Sequence, residues 1–170
     1  MDKSIEGIYL REILIQANGA IRCANQFSEL LKSSQQEFFR AVEHFLHHAA
    51  AISHLLFPAR EKSKTRAEHL RKILNIDEQN ALKDRTLRDH LVHFDERLDN
   101  WANNSKRKNF VDHCIGDIKK LVSGVDSTDY IRNFNPNNME YIFLNETFNL
   151  NDILNAIIQI KNNIETNNLT

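Results

Sequence analysis

The chain predicts a mainly α fold: an antiparallel bundle of five to six helices with one small β-hairpin near the C-terminus. Two observations carry this. Apolar residues recur at spacings of three and four through about residues 5–123, the period of a helix with one buried face. After Gly124 that period gives way to a short strand, a turn and a second strand before helical spacing returns. Short polar connections between the helical stretches favour antiparallel neighbours.

The first helix is expected over residues 4–32, with Ile8, Ile13, Leu14, Ala17, Ile21, Ala24, Phe27 and Leu31 on one stripe and Gly19 weakening its centre slightly. Ser33 or Ser34 suits the N-cap of the next helix, and Glu37 lies three residues beyond Ser34, the spacing of a capping box. The second helix runs to about Phe57 through Phe38, Val42, Phe45, Ala49, Ile52 and Leu56, and Pro58 stops it. Residues 59–66 form a polar, basic link. A third helix places Ala67, Leu70, Ile73 and Leu74 on one face, and residues 75–80 break it. The fourth helix spans roughly 80–103, with Leu87, Leu91, Phe94, Leu98 and Trp101 as a tight apolar seam. Residues 106–123 are expected as a fifth helix carrying Phe110, Ile115 (or Cys114), Ile118 and Leu121, with Gly124 as its C-cap.

The hairpin is expected at about 129–144, turning at Asn135-Pro136-Asn137-Asn138. A terminal helix over about 151–165 follows, capped by Asn151 and packed through Ile153, Ile157, Ile160 and Ile164. Twelve of the last 45 residues are asparagine, which reads as compositional bias or surface loops. All 170 residues are taken as a single domain, enough chain for one real core.

The net charge of −1 gives no global pull toward nucleic acid or an anionic membrane. Its distribution is uneven: residues 1–125 hold 20 Lys and Arg against 17 Asp and Glu, and residues 126–170 hold 2 against 6. A polyanion would meet the first part. Cys23 and Cys114 form no CxxC pair, no secretory leader opens the chain, and no apolar run could span a membrane, so a cytoplasmic protein with two reduced thiols is expected. Four unclustered glycines argue against a phosphate-binding loop or a dinucleotide fold, so no cofactor is expected. His44 and His48 have a chelating spacing, but no carboxylate ligand joins them, and the face His44, His47, His48, His54 reads as polar or interfacial, with no metal.

One stretch points at chemistry: Arg88-Asp89-His90-Leu91-Val92-His93. Arginine holds a phosphate by a charged fork, and histidine moves protons near neutral pH. On a helical wheel the apolar seam falls within about 80°, while Asp89 and His93, four apart, stack on the opposite face, where Asp89 can orient the histidine. Arg85 and His90 form an overlapping match, but His90 projects near the edge of the seam, so Arg88 and His93 are preferred.

Arg88, Asp89 and His93 resemble the active-site motif of the HEPN superfamily: an arginine, a polar residue, a variable stretch, then a histidine, set in a small helical bundle. The resemblance covers about residues 5–123 and leaves the hairpin and last helix as additions. It implies metal-independent RNA cleavage in a cleft shared by a homodimer. His93 would be the general acid/base, Arg88 would stabilise charge on phosphorus, and Asp89 would support the histidine. It also implies a toxin or defence role with a cognate antitoxin as partner. Arg85, Lys62, Lys64 and Arg66 are candidate RNA-backbone contacts, as is the smaller patch Lys106-Arg107-Lys108. The other reading is a non-catalytic helical dimerisation or interaction module of the same fold, using the same polar face.

Overall fold

The computed structural model describes residues 1–84, 86–105, 109–121 and 124–167. The chain is mainly helical, with a small four-stranded sheet toward its C-terminal end. Its contacts group into two compact units. The first joins Met1–Arg85 to Asp152–Thr170, and the second is the intervening Thr86–Asn151.

In the first unit, α1 (Lys3–Ser33) begins at Asp2, whose carboxylate accepts from the Ser4 backbone N–H at 2.8 Å. Ser34 alone joins it to α2 (Gln35–Leu56). The Ser34 N–H closes α1 on Leu30 O at 2.9 Å, and its hydroxyl opens α2 by accepting from Glu37 N at 3.3 Å. A one-residue link forces the helices back along each other. Phe27 meets Phe38 and Phe45 edge-on at 5.6 and 5.7 Å, and Gln16 meets His48 further along. The α2 stripe is buried throughout, from Phe38 to Leu56. The α1 stripe is rotated from the expected one. Ile8 is exposed, and Leu10, Ile13, Ala17, Ala20 and Phe27 enter the core.

Gly19 also has a different part from the one its helix propensity suggests. A Cβ there would lie 2.5–2.8 Å from three ring atoms of His48, so the missing side chain is what leaves room for that ring. The His48 Nδ1 lies 2.7 Å from Gln16 Oε1, and the Gln16 amide donates to Glu12 at 2.7 Å. Burial first, then the charges of His44, His47 and Arg22, pull the His48 pKa below the usual histidine value.

The α3 helix (Lys64–Ile73) buries Ala67 and Leu70. Arg71 binds it back to the end of α2, donating to Leu56 O at 2.6 Å with its guanidinium over the Phe57 ring. The last helix, α7 (Leu150–Thr166), buries Ile153, Ile157, Ile160 and Ile164 in this unit. Asn163 donates to Leu74 O at 2.7 Å.

The expected fourth helix is divided. A 3-10 turn, Ala81–Lys83, comes first, and in the second unit α4 (Thr86–Val92) ends at His93 before α5 (Phe94–Asn104) begins. His93 adopts φ −110° and ψ 39°, which re-aims the chain, so a wheel drawn through residues 80–103 does not hold. Leu91 and Leu98 are half-buried, Phe94 is 37% exposed, and only Trp101 of the described seam side chains is fully in the core. The Leu87 side chain lies outside the described residues.

The expected fifth helix is overturned. Residues 109–113 are not helical, Cys114–Ile115 form strand β1, and only Ile118–Leu121 turn as a short helix, α6. Residues distant in sequence claim its backbone. Val111 N–H donates to Asp129 O and Ile131 N–H to Val111 O, while Cys114 and Ile115 pair in parallel with Asn133 and Phe134. Phe110, assigned to a buried face, is 56% exposed. Gly124 has φ 86°, but residues 122–123 before it lie outside the described residues.

Strands β2 (Arg132–Asn135) and β3 (Glu140–Phe143) pair antiparallel around the asparagine turn, and β4 (Glu146–Asn149) adds a third antiparallel strand that runs directly into α7. The asparagines build this region. Asn135 and Asn138 accept from backbone N–H groups two residues on, as Asx turns do. Asn133 is 1% exposed and donates its amide to Cys114 O and Gly116 O, both at 3.2 Å, tying β1 to the sheet. Asp129 is fully buried and accepts from the Ser105 hydroxyl and the Asp126 N–H.

Candidate functional site

His93 sits at the junction of α4 and α5. Its backbone N–H closes α4 on Asp89 O at 3.0 Å, and its carbonyl accepts the Arg97 N–H at 3.0 Å. The side chain is 53% exposed, and Nδ1 lies 3.5 Å from Glu96 Oε2. Glu96, on the first turn of α5, is thus the carboxylate that the structure sets beside the ring; Asp89 lies one turn back on α4. The two apolar residues flanking His93 face outward, Val92 63% and Phe94 37% exposed, and the Phe94 ring stacks on Phe143 at 5.8 Å. Arg88 lies on α4 five residues before His93, but its side chain and all of Arg85 fall outside the described residues.

No protein-family model, curated protein or solved structure matches the chain. Function therefore rests on the residues themselves.

The remaining candidates belong to the first unit, and they differ in what they can offer a polyanion. Lys62 is exposed on the 3-10 turn Glu61–Ser63. Lys64 pairs with Glu61 at 2.6 Å. Arg66 is committed to structure: half-buried, it donates to Leu55 O at 3.3 Å and lies over the Tyr9 ring at 4.8 Å. Residues 106–108 lie outside the described residues. On the histidine face, His47 Nδ1 is 2.7 Å from Glu43 O and His48 faces Gln16, so two of the four rings are engaged in ordinary hydrogen bonds. Among the described residues no group of three His, Cys, Asp or Glu side chains could hold a metal ion. Nor is any described helix long and apolar enough to cross a membrane. Cys23 and Cys114 are free and half-buried. Burial raises both thiol pKa values, aided at Cys114 by the charge of Asp112, so neither is poised as a nucleophile.

A pocket beside α5 has no apolar signature in the sequence. It measures about 140 Å3 and opens along α5, lined by Arg97, Asn100, Trp101 and Asn104 from the helix and by Thr128, Leu144 and Asn145 from the facing segments. The spacing 97, 100, 104 is a helical stripe, the one signal of it in the sequence. It is a polar stripe, invisible to a search for apolar periodicity.

Proposed function

We propose that the protein is a metal-independent endoribonuclease of HEPN type, its active centre shared by two copies that meet at the α4–α5 junction. His93 is the general acid/base on the 2′-hydroxyl and phosphate, Arg88 stabilises the charge that develops on phosphorus, and Asp89 together with Glu96 biases the imidazole. The observation that carries this reading is the setting of His93. The imidazole is water-exposed at a helix break, has a carboxylate at 3.5 Å, and is flanked by exposed Val92 and Phe94. A proton-transfer group needs access to substrate, and an apolar rim around it favours cover by a second copy. The helical, antiparallel bundle and the role as a toxin held by an antitoxin belong to the same proposal.

The exposed Val92 and Phe94 equally favour a second reading, a non-catalytic dimerisation module using the same surface. Incubation with single-stranded RNA in EDTA separates the two. The enzyme reading requires cleavage by the wild type and its loss in His93→Ala, with both proteins sedimenting as dimers. Intact RNA with dimeric wild type selects the module. Monomers whose cleavage survives His93→Ala refute both.

A further inference from the structure

We infer that the pocket along α5 is a guanine-binding site that seats one base of a single-stranded RNA beside His93, an inference that rests on the ribonuclease reading for its substrate class. At 100° per residue, Arg97, Asn100 and Asn104 share one face of α5 within about 60°, and the Arg97 N–H donates to the carbonyl of the N-cap residue His93 at 3.0 Å, so the pocket begins one turn beyond the histidine. At 1.5 Å per residue, Arg97 stands about 6 Å and Asn100 about 10 Å along the axis. A base held there leaves its own sugar and phosphate within reach of the imidazole.

A pocket of about 140 Å3 has room for one flat ring system. The lining offers a guanidinium fork and the Asn145 amide, groups that read base edges, while the Asn104 amide donates to Asn100 Oδ1 at 2.6 Å and holds that pair together along the wall. The guanidinium is at liberty to do so: Arg97 is half-buried, and among the described residues no carboxylate or hydrogen-bond acceptor engages its side chain. A fork of donors matches O6 and N7 of guanine.

The Trp101 indole N–H donates to Thr128 O at 2.8 Å and the Ser105 hydroxyl to buried Asp129, which fixes the floor. Opposite, β3 and β4 are joined by the two-residue turn Leu144-Asn145, with φ 46° and 71°. Asparagine suits that left-handed geometry and leucine does not. The leucine is buried all the same, and the turn carries the Asn145 amide into the pocket wall.

The test is binding of the four nucleoside monophosphates and of inorganic phosphate to the full chain, followed by calorimetry or amide chemical shifts. GMP is expected to bind most tightly and phosphate not to bind. Arg97→Gln and Asn145→Gly should each weaken GMP by about tenfold or more, the size of one well-placed base contact. Asn145→Gly keeps the left-handed φ, so its loss cannot be charged to misfolding. Equal binding of all four nucleotides, binding of phosphate as tight as GMP, or GMP affinity unchanged in Asn145→Gly would each overturn the site. RNA left intact by a wild type that binds GMP as described removes the ribonuclease reading alone. Cleavage without GMP binding removes the pocket alone.

Discussion

Gly19→Ala tests how α1 and α2 meet, because local propensity and packing give it opposite signs. In a helix centre, alanine is favoured over glycine by about 0.8–1.0 kcal/mol. Here the new methyl would lie 2.5 Å from His48 Cε1 and 2.6 Å from Nε2, well inside the ~3.5–4.0 Å of ordinary contact. The ring must move about an ångström, which breaks its 2.7 Å bond to Gln16 and crowds the seam. The lost hydrogen bond costs about 1 kcal/mol and the overpacking about 2. Gly19→Ala should therefore destabilise the fold by about 2 kcal/mol net of the propensity gain. In a His48→Ala background the obstacle is gone, and the same substitution should stabilise by up to about 1 kcal/mol. The two values differ by a coupling energy of about 3 kcal/mol, read from a double-mutant cycle of urea unfolding followed by helical circular dichroism. If Gly19→Ala stabilises both backgrounds, the His48 ring does not pack on Gly19.

Two further perturbations follow from the same geometry. With the folded-state pKa of His48 held below its unfolded value of about 6.5, the unfolded chain binds the extra proton between those two values, so stability rises with pH across that window. Acidification from about pH 7.5 to about pH 5 should lower the urea midpoint, and His48→Gln should flatten the slope; an unchanged slope would exclude His48 as its source. Asn133→Ala should cost about 2–3 kcal/mol by leaving the Cys114 and Gly116 carbonyls without their amide donor. In a Cys23→Ser background it should also speed labelling of Cys114 by a thiol reagent; labelling at the parent rate would show that Asn133 does not hold β1.

The parts of the fold legible in sequence are those whose partners lie one helical turn away. In α2 every stripe residue from Phe38 to Leu56 is buried, and the four isoleucines of α7 behave likewise. Where long-range partners decide, periodicity misleads. Residues 109–121 alternate well enough for a helix, but the backbone of Val111 and Cys114 is taken by Asp129–Phe134. At His93 a single residue with non-helical angles re-aims everything after it, so the seam on one side does not continue on the other. The asparagines dismissed as bias include a buried amide that ties two strands, a residue type that hydropathy scores as surface. At the candidate site, spacing located His93 on an exposed surface, while the nearby Glu96 and the Arg97–Asn145 pocket depend on the break and on a distant turn.

The division of the chain bears on the order in which it acquires structure. The second unit is one uninterrupted stretch, whereas the first is made of two pieces separated by it. During synthesis residues 86–151 emerge complete before the isoleucine face of α7 exists, so that unit can fold while the first still lacks its last helix. Once folded, it replaces a slack tether between the two pieces with one of fixed length, which takes the tether's own chain entropy out of the docking of α7. Lesions at Asn133 or Asp129 are then expected to slow the maturation of a helical unit to which neither residue belongs.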